Sequence, residues 1–422
     1  MIEPPCHGER TVCAVEAAGR SIESLFSAKA RSAPAPRPPS AGPAFKVNFD
    51  QGLPDPTLFP LDDLKRCLVE TMELEGVDAC KYFGAGGPHE MQYGYLGLRQ
   101  ALTERMARRD GRNVGSDGVL LVQGSTDGLA LAVNAFLDPG DGAIVEEATY
   151  YHTRDFMTAT GATVRTVPLD AHGMVVDALE ERLEGLRADG FPPKLIYTTP
   201  TFQSPTTTVL PLERRRRLVE LAQAWGVVVL EDSCYYEFAY DRPPPPTLLA
   251  LDDTGLVLQS DSFSKYIAPG LRLAWVAGAP EAIAGLVRVR QDFAVSRVTA
   301  RAVHRFIASG AFDAHVARLR DAYRRKRDVT VEALRRHCGP WITFAVPEGG
   351  FNCWLEISPD VDWDASRRRL EDAGVAMRPG NMFGDGARAR RCVRLSFAQV
   401  AEADIEWGVA ALGAALAASR RG

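Results

Sequence analysis

The sequence predicts an α/β protein: a mostly parallel sheet flanked by helices, followed by a smaller α+β lobe. Two patterns carry this expectation. From about Leu98 onward, short apolar runs of buried-strand character alternate with helical stretches, and after a long helical region around Ala314 to His337 the chain returns to short strands and helices. Strands that alternate with helices imply parallel neighbours joined by crossovers, and such a sheet is covered on both faces. Length adds a third argument, because 422 residues are too many for one simple core.

Taken in order, residues 33–43 read Ala-Pro-Ala-Pro-Arg-Pro-Pro-Ser-Ala-Gly-Pro, which forms neither a helix nor a central strand. They are expected to be an extended linker between a short N-terminal arm, helical over 21–33, and the body. Strands are expected at 119–122, 143–145, 195–197, 227–230 and 256–258, with helices at 126–136 and 212–225 between them. The expected division is arm and linker over 1–45, a large lobe over 46–315, and a small lobe over 316–422.

Composition narrows the function. A net charge of −5, with 46% hydrophobic and 24% charged residues, is ordinary for a globular protein and lacks the basic excess of a nucleic-acid or anionic-membrane binder. No apolar run reaches membrane-spanning length, and residues 1–13 lack the apolar stretch of a signal peptide. Eight cysteines without a CxxC pair and seven histidines without HExxH spacing point to neither a disulfide framework nor a metal site. The cytoplasm is the expected compartment.

In open α/β sheets the active groups gather at the carboxyl ends of strands. Three runs there are informative: Gly124-Ser125-Thr126, Glu231-Asp232-Ser233, and Asp261-Ser262-Phe263-Ser264-Lys265. A lysine desolvated at a strand end has a lowered pKa and a free amine able to form an imine with an aldehyde. Alone, such a lysine is more often a solvated surface residue. Here hydroxyls at Ser262 and Ser264 and the guanidinium of Arg272 suit a phosphate, as does the start of a helix at Ser125 and Thr126. Asp232, with Tyr235 three residues on, offers a carboxylate for a pyridine nitrogen. Together these groups describe a site for pyridoxal 5′-phosphate (PLP).

Ser262-Phe263-Ser264-Lys265 with Arg272, Glu231-Asp232 with Tyr235, and Arg394-Leu395-Ser396-Phe397 resemble the class I/II aminotransferases, fold-type-I PLP enzymes, in the aminoadipate and multi-substrate branch. Gly52-Leu53-Pro54, Tyr93-Gly94, Glu147-Ala148-Thr149-Tyr150 and Pro347-Glu348-Gly349-Gly350 fall in the same order, and the likeness runs from about Asn48 to the C-terminus. The resemblance implies that Lys265 holds the cofactor as an imine and carries a proton between the substrate α-carbon and C4′. It implies that Asp232 pairs with the ring nitrogen, that Tyr235 meets the ring hydroxyl, and that Tyr150, or its neighbour Tyr151, stacks on the ring. Ser125, Thr126, Ser262 and Arg272 would bind the phosphate, with Tyr93 reaching it from a neighbouring subunit of a homodimer. Arg394 would clamp the carboxylate of an amino-acid substrate.

Three departures surround the substrate. Where the family has Asn-Pro-Thr-Gly, this chain has Ser204-Pro205-Thr206-Thr207; where Gly-Gly is usual it has Gln51-Gly52; and the loop over 77–91 is long. A serine hydroxyl cannot bridge two partners as an amide does. An intact cofactor cradle beside an altered substrate side fits an aminotransferase of unusual substrate. It also fits a PLP enzyme that eliminates, replaces, decarboxylates, oxidises or forms a C–C bond in specialised metabolism. A PLP-binding transcription regulator is the remote alternative, since only about 45 residues precede the body. Arg214-Arg215-Arg216-Arg217 is expected to be a solvated helix face, Gly84-Ala85-Gly86-Gly87 no dinucleotide loop, and His89 a loop residue.

Overall fold

The computed structural model describes residues 22–27, 31, 45–84 and 86–421. Two compact units divide the chain, Met1–Pro36 and Arg37–Gly422. In the first, the described residues hold a 3-10 turn, Ile22–Leu25, and Arg31 donates to the Phe26 carbonyl at 2.6 Å. Of the helix expected over 21–33, the described residues show a 3-10 turn at Ile22–Leu25 and a helical residue at Arg31; residues 21, 28–30 and 32, like all of the Pro-rich segment 33–43, lie outside the described residues.

The second unit is built on a seven-stranded sheet. Its strands are β1 (Val119–Val122), β2 (Gly142–Glu146), β3 (Thr163–Val167), β4 (Pro193–Thr198), β5 (Val228–Asp232), β6 (Val257–Ser262) and β7 (Ala274–Ala277). They lie in the order β1-β7-β6-β5-β4-β2-β3, parallel except for β7, which runs antiparallel to both neighbours. Successive side chains of a strand point to opposite faces, and here they feed two separate cores. Leu121, Ile144, Ile196 and Val229 pack on one face; Leu120, Val145, Leu195 and Leu230 pack on the other. Burial on both faces is why these runs read as continuously apolar.

All five expected strands are present: the first keeps its bounds, and the ends of the others shift by one to four residues. Two more were not expected. β3 is an edge strand whose side chains stay mostly half-exposed, and β7 reads Ala-Trp-Val-Ala, in which alanine carries little strand propensity. The expected helices are found at Ser125–Phe136 and Leu212–Trp225, the second closed by Gly226 in the left-handed conformation at φ 63°.

A 28-residue helix, Ala311–Cys338, leads to a four-stranded antiparallel sheet: β8 (Ile342–Thr343), β9 (Asn352–Ile357), β10 (Arg378–Pro379) and β11 (Cys392–Ser396), in the order β8-β9-β11-β10. The early segment Val47–Asn48 pairs in parallel with Val375–Ala376, and the Ser396 amide donates to the Phe49 carbonyl at 2.9 Å. These bonds bring residues 50–52 against β10 and β11.

Three expectations fail, the first being the loop over 77–91, which is helical at Val77–Cys80 and again from His89. The arginine run is not a solvated face throughout: Arg215 is 0% exposed and donates to the carbonyls of Leu210, Pro200 and Pro246 and to the Thr201 hydroxyl. Its five donors satisfy loop carbonyls that would otherwise be buried without partners. His89 is no loop residue. It opens a short helix, His89–Tyr93, and its ring stacks on Tyr93 with centroids 3.9 Å apart. Arg215→Leu is expected to destabilise the fold by about 3 kcal/mol, because those acceptors lose their donors. Exposed Arg216→Leu should change stability by less than about 0.5 kcal/mol. Denaturant unfolding of the two variants checks this; equal midpoints would contradict it.

Candidate active site

The carboxyl ends of β5 and β6 and the start of the helix after β1 open on one cavity of about 460 Å³. Its wall holds Gln51, Gly52, Ser125, Thr126, Tyr150, Ser204, Asp232, Tyr235, Ser262, Ser264, Lys265, Arg272 and Arg394. Every candidate site residue but Tyr93 is therefore gathered in one place. A larger cavity, about 520 Å³, lies near Phe344, Trp354 and Arg388 and contains none of these groups.

Lys265 follows β6 and is part-buried; its Nζ donates to the Gly52 carbonyl at 2.6 Å and lies 5.9 Å from the centre of the Tyr235 ring. Burial lowers its pKa, helped by the Arg394 charge and opposed by Asp232. Asp232 ends β5 and is 5% exposed. Tyr197 Oη donates to one carboxylate oxygen at 3.0 Å and the Cys234 amide to the other at 3.2 Å. Burial still holds its pKa above the ordinary carboxylate value. No cation lies within ion-pair distance of it among the described residues.

Gly124 has φ 96°, and a Cβ there would collide with the Arg272 guanidinium. Glycine thus lets the helix start and the arginine approach each other, leaving a concave cradle lined by Ser125 and Thr126. Arg272 is itself left-handed at φ 49° and donates to the Gln123 carbonyl at 2.8 Å. A non-glycine residue in that conformation is strained, a feature that clusters at functional sites. The Ser262 hydroxyl bonds the Ser264 hydroxyl at 2.9 Å. Across the cavity Arg394 is 8% exposed, donates to the Asp50 carbonyl at 2.5 Å, and has an Nε without a hydrogen-bond partner among the described residues.

Amine, buried carboxylate, phenol, anion cradle and guanidinium fit PLP plus an amino acid. The model of the aminotransferase class I and II family matches residues 89–412. The chain belongs to this family. Among its relatives, the 2-aminoadipate transaminase of Thermus thermophilus is 32% identical over 375 residues, covering 88% of this chain and 90% of that one. The crystal structure of a multiple substrate aminotransferase from Thermococcus profundus is similar at 30% identity and a TM-score of 0.84, covering 94% and 98%. The crystal structure of an α-aminoadipate aminotransferase from Thermus thermophilus, complexed with N-(5′-phosphopyridoxyl)-L-leucine, is 29% identical with a TM-score of 0.82, covering 94% and 99%. The chain is thus a fold-type-I, PLP-dependent aminotransferase-like enzyme.

Tyr150 and Tyr151 both line the cavity, with centroids 5.6 Å apart. Burial pushes the Tyr150 phenol up, against a hydrogen bond with Thr126. Tyr93 stays outside the wall, stacked on His89. Ser204 is buried on a tightly tied loop: Gln203 Nε2 donates to Glu146 at 2.8 Å and to the Ala148 carbonyl at 2.6 Å. Thr207, where the family has glycine, adopts φ 63°, a conformation that glycine takes without cost and a β-branched residue does not.

Asp50, Arg378, Tyr151, Thr199 and Cys234 are further wall residues. Asp50 directly precedes the flagged Gln51, which is a weak local signal. Arg378 pairs with Asp50 across 328 positions and has no local signal at all.

Glu146, which anchors the Ser204 loop, is buried and has no cation partner among the described residues, and burial pushes its pKa from 4.5 to about 7. Below the unfolded value both states hold the proton. Between about 4.5 and about 7 only the folded state does, so stability falls as pH rises and then levels off. Glu146→Gln keeps an acceptor without the charge. Its stability relative to wild type should rise by on the order of 3 kcal/mol across that window. Unfolding free energies measured at several pH values check this; a pH-independent difference would contradict it.

Proposed function

We propose that this enzyme uses PLP bonded to Lys265 to act at the α-carbon of an amino acid, as an aminotransferase forming a 2-oxo acid. One observation carries the proposal: the Asp232 carboxylate is buried at the cavity wall, raised in pKa by burial and without an ion-pair partner among the described residues. A buried carboxylate is expensive without a cation, and a protonated pyridine ring is a cation of the right shape for this cavity.

Bound PLP would supply an aldehyde for an amine and a ring that withdraws electrons from the substrate α-carbon. The protein supplies everything else. Lys265 Nζ, whose pKa burial lowers, would hold the cofactor through its aldehyde carbon and, once the substrate amine has taken that place, would carry the substrate α-proton. Asp232 would hold the ring nitrogen protonated, and Tyr197, donating to Asp232, keeps that carboxylate oriented. Tyr235 would meet the ring hydroxyl, and Tyr150 or Tyr151 the ring face. Ser125, Thr126, Ser262, Ser264 and Arg272 would hold the phosphate. Arg394, with its Nε unpaired, would fork onto the substrate α-carboxylate. Ser204, Gln51 and Gly52 bound the space beside the substrate.

A second reading draws on the same cavity. Ser204 and the Asp50–Arg378 pair change its substrate side while the cofactor side keeps its full donor set, as a non-transaminating PLP enzyme would also require. We further propose that the two lobes meet near residue 315 and that the cytoplasm is the compartment. Among the described residues, no helix is long and apolar enough to cross a membrane. A homodimer completed by Tyr93 is supported by exposed apolar side chains at Leu61, Val77, Tyr82 and Phe293.

Purified protein given PLP should absorb visible light, and Lys265→Ala should lose that band while remaining folded. Holoenzyme incubated with an amino-acid panel should yield pyridoxamine phosphate and a 2-oxo acid by mass spectrometry. An unchanged spectrum in Lys265→Ala would end the assignment of that lysine. Regenerated PLP with a shortened, cyclised or substituted product would select the second reading.

A further inference from the structure

Two arginines face each other on the substrate side of the cavity. Arg378 on β10 is the direct cross-strand partner of Arg394 on β11, and both line the cavity wall. Directly opposed residues have Cβ atoms about 4.5–5.5 Å apart, and like charges at that spacing repel. Burial worsens the repulsion, because little water reaches either guanidinium; the Arg378 side chain is only 11% exposed.

Asp50 resolves this conflict. Its carboxylate lies 2.5 Å from Arg378 Nε and accepts from Arg378 Nη2 at 2.7 Å, while its backbone carbonyl accepts from Arg394 Nη2 at 2.5 Å. One residue therefore ties both arginines, but unequally. Arg378 pairs directly with the carboxylate, whereas Arg394 bonds the carbonyl and feels the carboxylate charge without a direct ion pair. The side chain of Asp50 is 4% exposed, so this ion pair is shielded from salt and water. The parallel pairing of Val47–Asn48 with Val375–Ala376 fixes Asp50 in place, since Phe49 continues that ladder with its amide on the Ala376 carbonyl at 2.9 Å.

Counting charge gives the consequence, which rests on the assignment of Arg394 to the substrate α-carboxylate. Four cations line the cavity: Lys265, Arg272, Arg378 and Arg394. Lys265 and Arg272 belong to the cofactor side, with Asp232. The substrate side keeps Arg394, Arg378 and Asp50, a net charge of one positive unit, which a single carboxylate neutralises. A second carboxylate at Arg378 would have to share the guanidinium with Asp50, whose carboxylate already holds Nε and Nη2. Sharing would set two carboxylates side by side in a buried site and turn its net charge negative, a costly arrangement away from water.

We propose that Asp50 sets the substrate class of this enzyme: by occupying Arg378 it leaves room for one carboxylate, so the site takes monocarboxylic amino acids and rejects those with an acidic side chain. Asp50 acts as a positioning residue, and Arg378 is a masked second carboxylate site. The same arrangement explains why two arginines stand opposite each other in a buried sheet.

The test measures unreactive ligands on PLP-treated protein by titration calorimetry, comparing pentanoate with glutarate, which differ by a second carboxylate. Wild type should bind pentanoate at least as tightly as glutarate. Asp50→Asn, which keeps the shape but frees Arg378, should tighten glutarate by about ten- to a hundredfold, the worth of a charge-assisted bond. Pentanoate should move by less than about threefold, well below the tenfold that a lost interaction produces. Adding Arg378→Met to that variant should abolish the glutarate gain, which a merely structural role of Asp50 would not produce. Tighter glutarate than pentanoate in wild type would overturn the proposal, as would an unchanged ratio in Asp50→Asn. The wild-type comparison decides even if the variant folds poorly. Failure of the cofactor assignment shows separately, as absent visible absorbance in the same samples.

Discussion

A buried carboxylate with no ion-pair partner among the described residues is the constraint around which this site is organised. Asp232 closes a strand whose neighbours on both sides are strands, so water cannot reach it from within the sheet. The phenol of Tyr197 and the amide of Cys234 meet part of its hydrogen-bonding demand but carry no charge. Other features follow from keeping such a group in place: a desolvated lysine in the same wall, and a helix start held open to an anion by Gly124. Such a site suits a ligand that brings a cation to the carboxylate and an anion to the helix start.

The substrate side obeys the opposite rule. There the charges are already matched within the protein, Arg378 against Asp50, with Arg394 left to a carbonyl dipole and the incoming ligand. The two halves of the cavity also come from different parts of the chain. Strand ends of the central sheet supply the half proposed to hold the cofactor, whereas β10, β11 and the segment after Asn48 supply the half proposed to meet the substrate. Ser204 sits on the central-sheet side, on a loop anchored to Glu146. The charge on Glu146 therefore acts on the loop that carries Ser204 and also on Asp232, with which it interacts electrostatically.

Much of the cofactor half was legible in sequence because it consists of short contiguous motifs at strand ends. Lys265 with Ser262 and Ser264, Asp232 with Tyr235, and Ser125-Thr126 after an apolar run each carry their own local context. The buried strands were legible for the same reason, being apolar on both faces, while β3 escaped because an edge strand exposes one side. The charge matching was not legible. Asp50 and Arg378 meet only because a two-residue ladder joins Val47–Asn48 to Val375–Ala376, and no local pattern encodes so distant a pairing. Arg215 misled for a related reason: four arginines in a row look solvated until loop carbonyls from elsewhere converge on one of them.

The most direct measurement uses PLP isotopically labelled at the pyridine nitrogen, bound to the protein and followed by NMR across neutral pH. The account expects a protonated nitrogen in wild type and an unprotonated one in Asp232→Asn, with the cofactor still bound to Lys265. A nitrogen that is unprotonated in wild type, or protonated equally in both proteins, would contradict it.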